Sequence, residues 1–188
     1  MKRWPLQSRA EYEAIQRGRT AAKWTLNGIT REEVEWIHAR VPPAIAQGPI
    51  LCLGVRNGLE VDLFRDVFRC EVQGVELHPQ GIRPDVWIGS FDAMPVQWAG
   101  KFALLYSNAL DHAYDPVETA REWRRVAQPG AMLALTLDMD KEPSATDPIA
   151  QITPTDLRAW FGGHLYEPDI IGALATDFSL VRVLWRLP

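Results

Sequence analysis

From residue 50 onward the chain alternates between short apolar runs and longer stretches in which apolar residues recur every three or four positions. The runs Ile50–Leu53, Glu71–Leu77, Val86–Ile88, Phe102–Tyr106 and Ala131–Leu137 have the length of strands. The stretches near Glu60–Phe68 and Pro116–Ala127 have the period of helices. "ILCL" and "FALLY" show no polar alternation, the pattern of parallel strands covered by helices on both faces. Together they predict an α/β fold: a doubly wound, mostly parallel Rossmann-like sheet.

Capping chemistry predicts where the helices begin. Ser8 with Glu11, and Thr30 with Glu33, have capping-box spacing, in which each side chain satisfies a free backbone N–H of a helix start. Two N-terminal helices follow, the first carrying Tyr12, Ile15 and Ala22 among Arg17, Arg19 and Lys23, the second placing Val34 and Ile37 on one face. "VPPAIAQGP" then breaks the flank, because proline lacks an N–H and disfavours helix in the residue before it. Asp115, Pro116 and Glu118 start the helix at 116–127, with Val117, Ala120, Trp123 and Ala127 inward and Gly130 near its stop. Arg121, Arg124 and Arg125 read as its solvated outer face. Thr153 and Pro154 open a last helix, and the strand-like "FSLVRVLWRL" closes the chain. The expected organisation is one domain, 1–188, with an N-terminal helical flank (1–47), a core (48–137) and a C-terminal helix and strand region (138–188).

Composition narrows the partners. With 188 residues, 47% of them apolar, the chain can bury one sizeable core. Twenty basic against 24 acidic residues give a net charge of -4 and no basic stripe, which argues against nucleic acid or an anionic membrane as partner. The N-terminus lacks the apolar core of a signal peptide, and no run approaches the roughly 20 apolar residues that span a bilayer. A soluble, cytoplasmic protein is expected, and a homo-oligomer stays open. Cys52 and Cys70 lie in or beside buried strands without zinc-type spacing, so they read as reduced thiols, and no metal site is expected.

In open α/β sheets ligands bind beyond the carboxyl ends of the strands, where the strand order reverses. That edge carries the loop Gly54–Gly58, whose glycines allow close backbone approach. Glu76, near the end of the next strand, is placed to accept both hydroxyl protons of a ribose. The loop has neither the G-x-G-x-x-G of a dinucleotide fold nor the G-x-x-x-x-G-K-[ST] of a phosphate-binding ATPase, which disfavours a nicotinamide oxidoreductase.

The stretch "KFALLYSNALDHAYDPVETAREWRRVAQPGAMLALTL", residues 101–137, resembles the fourth-strand to fifth-strand segment of class I S-adenosylmethionine-dependent methyltransferases, particularly the small-molecule, quinone-biosynthesis-like type. The resemblance extends over residues 48–137 and implies S-adenosylmethionine as cofactor and S-adenosylhomocysteine as product. It implies that Gly54, Val55, Arg56 and Gly58 cradle the methionine part, that Glu76 binds the ribose hydroxyls and that Leu77 lies against the adenine. Ser90 and Phe91 would border the base, and Ser107 and Asn108 the methyl-donor end. Asp111 and His112 match the family's "EH" pair. His112 is then either a general base for an acceptor hydroxyl or amine, or a packing residue at the sheet edge.

Three positions depart from the family. Cys52 replaces an acidic residue, Arg56 replaces the middle glycine, and Ser90 replaces an aspartate, for which Asp92 would stand in after a loop shift. Arg56 either clamps the cofactor's carboxylate or folds away onto Glu60 or Asp62. Trp4, Trp24 and Trp36 either line an apolar substrate pocket or pack in the core. The acceptor is expected to be a small molecule, recognised by the N-terminal helices and the 138–175 region; Ser107-Asn108-Ala109-Leu110 is unlike the N-P-P-Y tetrad of adenine-methylating enzymes. The alternative to an enzyme is a non-catalytic methyltransferase-like binding or assembly module.

Overall fold

A computed structural model of the chain describes residues 1–5, 8–26, 28–80, 83–166 and 180–188. In chain order these form β1 (Lys2–Arg3), α1 (Arg9–Ala22), α2 (Arg31–His38), α3 (Pro43–Ala46), β2 (Ile50–Leu53) and α4 (Leu59–Phe68). Next come β3 (Val72–Glu76), β4 (Val86–Ile88), β5 (Phe102–Ser107), α5 (Pro116–Val126) and β6 (Ala127–Asp138). The last elements are β7 (Ile149–Ala150), α6 (Pro154–Phe161), β8 (His164–Leu165) and β9 (Leu180–Arg186).

Seven strands form the main sheet in the order β4-β3-β2-β5-β6-β9-β8, and β1 pairs with β7 in a small second sheet. Strands β2 to β6 run parallel, β9 is antiparallel to β6, and β8 is antiparallel to β9. Of the strand expected at 178–187, residues 180–186 form β9, while 178 and 179 lie outside the described residues.

The sheet is buried on both faces, which is why its central strands carry no polar alternation. Leu51 and Leu53 pack toward Trp123 of α5 and Leu157 and Phe161 of α6. Ile50 and Cys52 pack on the opposite side, with Val34 and Ile37 of α2 and Phe64 and Phe68 of α4. Each fully buried side chain of this size contributes about 1.5–3 kcal/mol relative to exposure. Both cysteines are free thiols, Cys52 buried and Cys70 half-buried. Among the described residues no helix is long and apolar enough to cross a membrane.

Several local expectations are corrected. Helix α1 buries Tyr12 and Gln16 and leaves Ile15 43% exposed, because its inner face covers a cavity instead of the apolar core. Helix α5 buries Thr119, Ala120, Trp123 and Val126 and leaves Val117 49% exposed, so its inward stripe is rotated relative to the expected one. The Ser8–Glu11 capping box closes, but Glu33 turns inward to accept hydrogen bonds from Tyr106 Oη (3.0 Å) and Thr136 Oγ1. "VPPAIAQGP" contains the one-turn helix α3, with Pro43 at its first position, where a missing N–H is tolerated. Gly130, at φ +70°, lies in the irregular start of β6 and does not cap α5.

Candidate functional site

The order of the main sheet reverses at β2, whose neighbours β3 and β5 lead away in opposite directions. The loop leaving β2 carries three residues in the left-handed region: Gly54 (φ +82°), Arg56 (φ +44°) and Gly58 (φ +86°). A Cβ on Gly54 would meet Ala109 Cβ at 2.7 Å, so only glycine allows the loop to lie this close to the end of β5. Glu76, buried at the end of β3, accepts the Arg56 N–H on Oε2 (2.7 Å) and the His78 N–H on Oε1 (2.9 Å). Its carboxylate is thereby fixed between two loops, with further lone pairs facing a cavity of about 370 Å³. That volume falls within the range of small-ligand sites.

The cavity gathers nine of the twelve expected site residues. Gly54, Arg56, Glu76 and Leu77 line it at the ends of β2 and β3, Ser90 and Phe91 after β4, and Asn108, Asp111 and His112 after β5. Val55, Gly58 and Ser107 lie outside its lining. Val55 is fully buried in the core on the α2 and α4 side. Gly58 is the N-cap of α4 and faces Arg83. Ser107 Oγ donates to the Leu53 carbonyl (3.0 Å) and accepts the Ala109 N–H (3.0 Å), which ties the ends of β2 and β5 together.

The Arg56 side chain does not fold away onto Glu60 or Asp62: its guanidinium hydrogen-bonds the Leu26 carbonyl, while Asp62 is held by Arg83. Asn57 Nδ2 donates to the Trp24 carbonyl at 3.0 Å, so the loop is tied at two points to the segment after α1. Asp92 lines the cavity, but Thr119 Oγ1 holds its Oδ1 and Arg9 holds its Oδ2 (2.9 Å). None of Trp4, Trp24 and Trp36 belongs to the lining, and Trp36 packs partly against the core.

A charged cluster surrounds His112, whose side chain is 18% exposed. Its Nδ1 lies 2.9 Å from the Thr146 carbonyl, and its Nε2 lies 2.6 Å from Arg19 Nη1. These partners assign the proton to Nδ1 and leave Nε2 as acceptor. Burial, followed by the Arg19 charge acting against the pull of Asp111, lowers the His112 pKa and favours neutral imidazole. Burial alone would raise the Asp147 carboxyl; the charge of His112 in its protonated form opposes this, and the Lys141 ammonium and the Thr146 hydroxyl, which hydrogen-bond the carboxylate, help to hold its pKa well below the usual range. Ligand atoms of Asp111, His112 and Asp147 lie within 4.8 Å of one another, a spacing a metal ion can use. Lys141 Nζ occupies that cationic position, 2.8 Å from Asp111 Oδ2 and 2.6 Å from Asp147 Oδ1.

Among the lining residues that were not expected site residues, two groups carry chemistry of their own. One is the inner face of α1: Arg9, Tyr12, Gln16, Arg19 and Lys23 follow one another at helical spacing. A search for apolar stripes passes over a stripe that is polar because it faces a cavity. The other is Glu60, 6% exposed, in the first turn of α4, where a carboxylate also reads as an ordinary helix-start residue.

The fold occurs in solved methyltransferases. The chain superimposes on 1,6-didemethyltoxoflavin-N1-methyltransferase of Burkholderia thailandensis, with bound 1,6-didemethyltoxoflavin and S-adenosylhomocysteine, at a TM-score of 0.76 and 15% identity over 98% of this chain and 92% of that one. A complex of the Haloferax volcanii Trm112 methyltransferase activator with a putative methyltransferase matches at a TM-score of 0.65 and 20% identity, over 97% of this chain and 100% of the matched one. An S-adenosylmethionine-dependent methyltransferase of Aquifex aeolicus matches at 0.63 and 11% identity, over 97% and 100%. Neither a family model nor a curated protein matches the sequence. The chain has the α/β Rossmann-like fold of class I methyltransferases.

Proposed function

We propose that the protein is an S-adenosylmethionine-dependent methyltransferase acting on a small molecule in the cytoplasm. The observation that carries this reading is the convergence of Glu76 and the Gly54 loop on one cavity at the sheet edge where strand order reverses. Glu76 offers a fixed carboxylate for a pair of ribose hydroxyls, and Gly54 admits a ligand close to the backbone. Leu77, Ser90 and Phe91 border the part of the cavity suited to a flat base.

S-adenosylmethionine would supply a methyl group already activated on a sulfonium, so alignment of the acceptor is the main demand on the protein. The polar face of α1 and the segment Ile149–Ile152 wall the remaining cavity and would orient that acceptor. Neutral His112 would accept a proton from an acceptor hydroxyl or amine at Nε2 once Arg19 leaves that nitrogen. Asp111, held by Lys141, borders the imidazole.

Titration with S-adenosylhomocysteine tests the reading. Binding should raise the unfolding free energy by about 2.7 kcal/mol at a hundredfold excess over Kd. Transfer of a labelled methyl group from S-adenosylmethionine into a low-mass extract should follow. Binding without transfer to any acceptor supports the non-catalytic module, and no binding at millimolar ligand overturns the cofactor assignment.

A further inference from the structure

Glu60 has no role in the site as assigned above. It is one of four buried carboxylates among the described residues, and it lines the same cavity as Gly54, Arg56 and Glu76. Asn108, which also lines the cavity, lies near enough to its carboxyl group to favour the ionised form. The Cys52 thiol, at the strand position where the family resemblance expects an acid, feels the Glu60 charge. Arg56, whose charge it feels, directs its guanidinium to the Leu26 carbonyl. A carboxyl group kept from water, open to a cavity and in no ion pair among the described residues matches a ligand that brings its own positive charge.

We propose that Glu60 binds the α-ammonium group of the cofactor's methionine moiety and supplies from α4 the negative charge that Cys52 does not supply from β2. The inference rests on the cofactor reading above. The groups around Glu60 are Arg56 on the loop, Glu76 at the end of β3, Cys52 on β2, and Tyr106 and Asn108 at the end of β5. Burial pushes the Glu60 carboxyl up to about 7, with its own backbone N–H, Arg56 and Asn108 opposing and Glu76 reinforcing the rise. An arriving ammonium favours the ionised form and lowers that value. Ligand binding near neutral pH therefore releases a proton, and affinity falls as pH drops below about 7.

Calorimetry with S-adenosylhomocysteine, which keeps the ammonium, at pH 6 and pH 8 in two buffers of different ionisation enthalpy, reads both effects. The wild-type protein should bind more weakly at pH 6 and release a proton on binding there. Glu60→Gln should lose the proton release and bind at pH 8 on the order of tenfold more weakly or worse. Methylthioadenosine, which lacks the amino acid part, should bind both proteins alike, and ligand-free Glu60→Gln should melt no lower than wild type at pH 8, which separates lost recognition from lost folding. Equal S-adenosylhomocysteine affinity and equal proton release in the two proteins overturn the Glu60 assignment and leave the cofactor reading standing. Failure of the wild-type protein to bind at either pH overturns both.

Discussion

Arg19 Nη1 lies 2.6 Å from Nε2 and 3.0 Å from Nδ1 of His112, so helix α1 covers the imidazole with a group that cannot accept its proton. The guanidinium also disfavours imidazolium, after burial the main influence holding it neutral. Arg19→Ala should therefore raise the His112 titration midpoint, followed by the chemical shifts of its ring protons. An unchanged midpoint would mean that burial alone sets the protonation state.

The same histidine should make stability depend on pH. Its pKa in the folded protein lies below that of about 6.5 in an unfolded chain. Its contribution is therefore complete above about pH 6.5 and is lost as pH falls toward the folded value, because the unfolded state then binds more protons. Urea unfolding at pH 7.5 and pH 5.5 should show a smaller acid-side loss for His112→Gln than for wild type. A parallel loss in the two proteins would assign the acid sensitivity to other groups.

Glu76 joins structure and binding in one side chain. Its carboxylate holds the backbone of the Gly54 loop through Arg56 and the turn after β3 through His78. Glu76→Ala should weaken S-adenosylhomocysteine by on the order of 1.5–3 kcal/mol, the range for a hydrogen bond to a charged group. It should also cost about 1–3 kcal/mol of stability, because two N–H groups lose their acceptor. Paired calorimetry and urea unfolding read both, and an unchanged Kd would remove Glu76 from the site.

The core strands were legible because burial on both faces leaves an apolar run with no competing pattern, as in Ile50–Leu53, whose bounds match β2. Val117 misled because an apolar residue at helical spacing does not fix the angle of the helix against the sheet. The loop and Glu76 were legible because backbone geometry demands glycine and a strand end fixes a carboxylate. Glu60 and the particular residues that α1 turns to the cavity were not, since what they face is set by tertiary packing, and a polar stripe has the same sequence whether it meets solvent or a cavity. The Arg19–His112 contact joins residues 93 positions apart, which no local pattern encodes.

Arg56 offers the last test. At φ +44° its backbone adopts a conformation that costs an L-residue about 1–2 kcal/mol and glycine little. Arg56→Gly removes that strain but adds chain entropy to the unfolded state, about 0.5–1 kcal/mol. It also loses the bond to the Leu26 carbonyl. These terms oppose one another, so global stability should move by less than about 1 kcal/mol. The segment after α1 should nonetheless be held less firmly, because the Arg56 bond is gone while Asn57 keeps its bond to the Trp24 carbonyl. Trypsin cleavage after Lys23, followed by mass spectrometry, should accelerate, and S-adenosylhomocysteine should bind more weakly as this edge of the cavity loosens. Tighter binding by Arg56→Gly would instead identify the arginine as an obstruction between the loop and its ligand.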